Sequence, residues 1–122
     1  MSFIYVASPY SHKDPTIKDN RYWQVLKFVA EYTRRGRILY SPIVHCHQMA
    51  LSFDLPGNLD FWKEHNAKLL RHADELWVYT LEGWKESQGV TYELQLAQQL
   101  YIPVAFCERL PAWEDKSNAE SF

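Results

Sequence analysis

The chain has 122 residues, with 13 Lys and Arg against 15 Asp and Glu, a net charge of −2. That length points to one domain, and the near-neutral balance, with no basic stripe, argues against non-specific duplex binding. Hydrophobic residues make up 47%, enough for one core, and no run approaches the ~20 apolar residues of a membrane span.

"FIYVAS" (Phe3–Ser8) is a short continuous apolar run, which predicts a strand buried on both faces. Its Met1–Ala7 portion is too short for the apolar part of a secretory signal. "PYSHKDPT" reads as a loop. Tyr22, Val25, Leu26, Val29 and Thr33 then fall at helical spacing. That helix is expected to end at "RRG", where Arg34 and Arg35 suit the negative end of the dipole and Gly36 the left-handed position. "RILYSPIV" (Arg37–Val44) predicts a second strand. "HCHQMALSFDLPGN" predicts an irregular connection with one helical turn around Gln48–Ser52. Asn58 or Asp60 is placed to cap the next helix, whose apolar side holds Trp62, Leu69, Leu70 and Ala73. "ELWVYT" (Glu75–Thr80) predicts a third strand. A glycine-bearing loop then leads to a helix from Val90 to Leu100, with Val90, Leu94, Ala97 and Tyr101 on one face. "IPVAF" (Ile102–Phe106) predicts a fourth strand. The domain is expected over 1–108, with a polar tail over 109–122.

Strands alternating with helices imply an α/β, flavodoxin-like (Rossmann-like) three-layer sandwich around a four- to five-stranded parallel sheet. The expected strand order is 2-1-3-4. Such sheets bind ligands beyond the carboxyl ends of their strands, where the strand order reverses. Three segments meet there: Ser8–Thr16, Ser41–Asn58 and Leu81–Gly89.

Most of the polar and unusual residues lie in those segments or beside them. Glu93, in the first turn of the last helix, suits the helix dipole and also faces the expected crevice. Ser87 and the amides near Gly89 are either phosphate-cradling groups or ordinary loop residues. Tyr5, Ser8, Tyr10 and Ser11 bring hydroxyls to the end of the first strand, although Tyr5 also suits a core. Arg21 is either a phosphate partner or a solvated arginine. His45 and His47 share a face if the segment is extended, so they are candidate metal ligands, or crevice residues bonding a ligand or loop carbonyls. No third ligand lies at a close spacing. Asp74 falls at the wrong end of its strand for the crevice and reads as a structural turn residue. Cys46 and Cys107, outside any CxxC, read as small buried side chains in a reducing, cytoplasmic compartment. Aromatics are 16% and can fill a core, a stacking surface or a subunit interface.

"IYVASPY", "SPIVHCH", "ADELWV" and "GWKESQGVTYELQLA" together resemble the nucleoside 2-deoxyribosyltransferase-like superfamily. The likeness runs from Phe3 to Phe106. It is nearest a small bacterial and phage branch beside the nucleoside 5′-monophosphate N-glycosidases. The resemblance implies N-glycosidic bond cleavage or transfer, with Glu93 as nucleophile and Tyr5 orienting it. The transferases hold the sugar with an Asp six residues before the nucleophile. Ser87 stands there instead, as in the nucleotide-hydrolysing branch, where a serine helps bind the 5′-phosphate. The family's catalytic Asp, eight residues before the Asp of "AD", is replaced by Asn66. An amide cannot act as a general acid. Asp60, His65, His45 and His47 are the candidate substitutes.

The expectation is therefore a nucleotide or nucleoside N-glycosidase or transferase needing no cofactor and no metal. Its partner is a small molecule, not nucleic acid or membrane, and the resemblance implies a homo-oligomer (a dimer, or a dimer of dimers). Ser8, Ser87 and local amides would take the phosphate; Trp84 and Tyr10 would stack on the base or close over it, Trp84 being equally suited to a subunit interface. The rival expectations are a non-catalytic nucleotide-binding protein, on account of Asn66, and a metal-dependent hydrolase built on His45 and His47.

Overall fold

The computed structural model describes residues 2–108, so the tail expected at 109–122 lies outside the described residues. Strand β1 (Ile4–Ala7) is buried at every position. Its side chains alternate between two cores. Tyr5 and Ala7 pack with Leu70, Val78 and Val90, whereas Ile4 and Val6 pack with Val25, Phe28 and Trp77. Two covered faces explain why the apolar run is continuous.

Helix α1 (Pro15–Arg34) starts where Asp14 Oδ1 accepts the Thr16 N–H at 2.9 Å, with Pro15 in the first turn. It closes before Gly36, whose φ of 88° is left-handed. Strand β2 is only Leu39–Tyr40. The strand expected through Val44 stops because "SP" is a helix start. Ser41 Oγ accepts the Val44 N–H at 3.2 Å, and Pro42 supplies a φ already suited to a helix. The expected irregular connection is thus mostly helix α2 (Pro42–Phe53), closed by Asp54 at φ 58°.

Helix α3 (Leu59–Arg71) is capped by Asn58, whose Oδ1 accepts the Phe61 N–H at 3.0 Å; Asp60 lies in the first turn. Strand β3 (Glu75–Tyr79) is followed by a 3₁₀ turn at Trp84–Glu86, helix α4 (Gln88–Gln99) and strand β4 (Val104–Cys107). Tyr101, expected on the inner face of α4, lies past its end at φ 59° and is 93% exposed.

The four strands are all parallel, in the order β2-β1-β3-β4. Side chains of α1 and α2 cover one face of the sheet, and those of α3 and α4 the other. This is a flavodoxin-like three-layer fold. The chain leaves β1 for one side of the sheet and later adds β3 on the other, so the order reverses between β1 and β3. Their carboxyl ends open the crevice. At the opposite edge, Asp74 Oδ2 accepts the Phe3 N–H at 2.8 Å, the structural role expected of it.

Candidate active site

A cavity of about 460 Å³ opens at that reversal. Its size falls in the range typical of small-molecule sites. Ser8 enters it from the end of β1, Tyr10 from the loop beyond, Asn66 from α3, and Ser87, Gly89 and Glu93 from α4 and its approach. Six of the candidate residues, from three separate stretches of chain, therefore line one cavity. Tyr5 stands behind it. Its hydroxyl donates to Glu93 Oε2 at 2.5 Å across 88 residues of chain.

Glu93 is only 4% exposed. Burial pushes its carboxyl up to about 8, against the smaller opposing effect of the Tyr5 hydrogen bond. Burial also raises the Tyr5 phenol well above its ordinary value, with the Glu93 charge adding to the effect. Tyr5 is thus the fixed donor and Glu93 the acceptor. The free carboxyl is largely protonated near neutrality. It gains its charge as pH rises through about 8, or when a positive centre approaches.

Ser8 is 5% exposed, and its Oγ has no hydrogen-bond partner among the described residues. A buried hydroxyl without a partner is uncommon, and here it lies on the cavity wall. Ser87 Oγ caps α4 by accepting the Val90 N–H at 3.1 Å. Gln88 and Gly89, at the start of α4, line the cavity, and the first amides of a helix have no intrahelical partner. A Cβ on Gly89 would meet only Ser87 Oγ, at 3.8 Å, so packing does not require glycine there. Its missing side chain instead leaves backbone open to the cavity. Hydroxyls, helix-start amides and one buried carboxyl suit a polar, sugar-like or anionic ligand.

The approach to α4 is held by Arg21. Its Nη1 donates to Ser11 O at 2.9 Å and its Nη2 to Glu82 O at 3.2 Å. The guanidinium thereby ties the loop after β1 to the loop after β3. Gly83 passes beneath it at φ 95°, and a Cβ there would stand 2.3 Å from Arg21 Nη2. Arg21 also lines a second cavity, of about 820 Å³, which shares Ser11, Glu86 and Ser87 with the first.

The histidines are a correction. His45 and His47 lie on a helix, where residues two apart diverge by about 200° and do not share a face. His47 is buried; its Nδ1 sits 2.6 Å from the Tyr10 hydroxyl and its Nε2 3.6 Å from Asp19 Oδ1. Burial lowers its pKa, with Asp19 opposing the effect. The ring shares a hydrogen bond with the Tyr10 hydroxyl, so His47 positions Tyr10. His45 stacks on His65 at 5.4 Å instead. Neither lines the cavity, and no group of three or more His, Cys, Asp or Glu that could hold a metal ion occurs among the described residues. Trp84 is also displaced from its expected place. It packs against Phe106 at 5.4 Å, beside the β4 edge, because the 3₁₀ turn directs it away from the crevice.

Trp62, Cys46 and Glu86 are among the lining residues that the sequence did not single out. Trp62 lies one turn before Asn66 on α3, so the helical i, i+4 relation was its available signal. Cys46 became a lining residue once "SP" started α2. Glu86 had no signal beyond its place in the loop.

The fold and site define an α/β protein with a buried carboxyl in a strand-end cavity. The chain belongs to the family described as "Domain of unknown function (DUF1937)", whose model matches residues 2–109. A comparison with curated proteins gives no match. Among the described residues, no helix is long and apolar enough to cross a membrane.

Proposed function

We propose that the protein cleaves or transfers the N-glycosidic bond of a nucleoside 5′-monophosphate or nucleoside. The observation that carries this reading is the Tyr5–Glu93 hydrogen bond at 2.5 Å, with Glu93 in the wall of the cavity and Tyr5 behind it. Glu93 attacks the anomeric carbon as the base departs, and Tyr5 holds the carboxylate in line. Glu93 reacts as the carboxylate, its proton having passed to solvent before attack, and the positive charge developing on the sugar stabilises that ionised form. Water or a second base then resolves the glycosyl-enzyme. Ser8, with its unpartnered hydroxyl, and the amides at the start of α4 are matched to the phosphate or sugar. The likeness of the Tyr5, Ser87 and Glu93 segments to nucleoside 2-deoxyribosyltransferase-like proteins supports the same assignment.

The test is incubation with a panel of ribo- and deoxyribonucleosides and their 5′-monophosphates, with mass spectrometry for free base. Wild type releases base from at least one, and Glu93→Ala does not. No release from any member overturns the reading.

Asn66 favours a second reading, nucleotide binding without cleavage. It lines the cavity, is 7% exposed, and cannot supply a proton to a leaving base. Saturable binding in the same panel, with every ligand recovered intact, would establish it.

A further inference from the structure

A phosphate on the substrate needs a cation, and among the described residues the wall of the Glu93 cavity holds none. Its ionisable carboxyls are Glu86 and Glu93, and its hydroxyls and amides are neutral. Arg21, the expected phosphate partner, lines the neighbouring cavity, where its Nη1 and Nη2 are bonded to the carbonyls of Ser11 and Glu82. Lys63 and Lys85 lie over the rings of Tyr92 and Trp84, and neither ring lines the cavity.

Lys18 stands at the rim. Residues 11–20 are exposed except for Lys18, which is half-buried. Its side chain reaches from α1 over the ring of Tyr10, with Nζ 5.2 Å from the ring centroid. A Cβ on Gly57 would stand 3.9 Å from Lys18 Nζ and 4.0 Å from Tyr10 Cε2. Tyr10 and Gly57 both line the cavity, so the ammonium lies where the loop after β1 meets the loop between α2 and α3. The bare Gly57 leaves that corner open. Burial raises the Cys46 thiol to about 11, against its own backbone hydrogen bond and the Lys18 charge, so the field of the ammonium reaches the cavity wall. The platform beneath it is fixed, because His47 Nδ1 holds the Tyr10 hydroxyl at 2.6 Å and the His47 ring stacks on Tyr22 at 4.1 Å. Among the described residues Lys18 makes no ion pair. The ring face attracts the ammonium but does not neutralise it.

Resting on the N-glycosidase reading for its substrate class, we infer that Lys18 binds the phosphate of the substrate and so selects the 5′-monophosphate over the free nucleoside. An ammonium is a compact point charge with three N–H donors, and its flexible stem lets it turn from the Tyr10 ring to an anion. The neutral hydroxyls and amides of the wall can bond the phosphate oxygens, whereas Lys18 supplies the opposite charge. That charge also offsets the repulsion between a phosphate and the Glu86 carboxylate.

Ribose and ribose 5-phosphate test this with no glycosidic base to lose. Calorimetric titration of wild type and Lys18→Gln with both sugars is the measurement. Wild type is expected to bind ribose 5-phosphate about 10-fold or more tighter than ribose, and Lys18→Gln to lose that preference with ribose binding unchanged. No preference in wild type, a preference that survives Lys18→Gln, or an equal loss on both sugars overturns the Lys18 assignment. Base release from the nucleotide panel decides the N-glycosidase reading separately. A preference lost in Lys18→Gln, with no base released from any nucleotide by wild type, supports phosphate binding by Lys18 and removes the cleavage reading. Thermal melting of the variant separates misfolding from lost binding.

Discussion

The Tyr5 hydroxyl donates to Glu93 Oε2 at 2.5 Å, joining the first strand to the last helix at the floor of the cavity. A hydrogen bond to a charged group contributes about 1.5–3 kcal/mol. Tyr5→Phe is therefore expected to slow base release by about 10- to 100-fold. The lost donor had favoured the carboxylate, so the Glu93 pKa rises further and the rising limb of the kcat/KM–pH profile moves to higher pH. An unmoved pH profile would show that Tyr5 does not act through Glu93.

Glu93 in the fold keeps its proton up to about pH 8, against an ordinary value of 4.5. Between these values the folded state binds the proton that the unfolded state has released. Stability therefore falls as pH rises through the window, by on the order of 5 kcal/mol. Glu93→Gln removes the titration while keeping the shape. Its stability relative to wild type should rise steadily from about pH 5 to about pH 9 in urea denaturation. A constant difference across that range would contradict the burial of an ionisable Glu93.

Ser8 Oγ is buried on the cavity wall without a hydrogen-bond partner among the described residues. Ser8→Ala is expected to leave stability unchanged, or to raise it by about 1 kcal/mol, while weakening binding of the cleaved nucleotide about 10-fold. Thermal melting and calorimetric titration read the two effects separately. Lower stability with unchanged binding would mean that the hydroxyl serves the fold.

Gly83 combines φ 95° with a guanidinium 2.3 Å from where a Cβ would stand. Gly83→Ala should cost about 1–3 kcal/mol through backbone strain and the displaced clamp. In an Arg21→Ala background only the strain remains, so the same substitution should cost less. A double-mutant cycle measures this coupling, and strict additivity would mean that the clamp is not strained by the added methyl.

The layer order of the fold was legible because the central parallel strands are covered on both faces and therefore write themselves as apolar runs. "FIYVAS" and "ELWVYT" mark β1 and β3 without ambiguity. The segment after β2 was misread because "SPIVHC" is equally apolar as strand or helix. The serine cap and Pro42 decided it, and with it the fate of His45 and His47. Glu93, Ser87 and Tyr5 were recognisable from their places at strand and helix ends and from the resemblance those segments bear.

By itself, then, the sequence determined a parallel α/β sheet and the loops that meet at its carboxyl edge, because burial periodicity and caps are local properties. The tertiary structure alone decided which side chains share the cavity. It put Trp62, Cys46 and Glu86 on the wall, turned His45, His47 and Trp84 away from it, and buried Glu93 deeply enough to hold its proton. Those outcomes depend on which helix face meets which sheet face, and on how far water is excluded. Both arise from contacts between residues far apart in the chain, which no local pattern records.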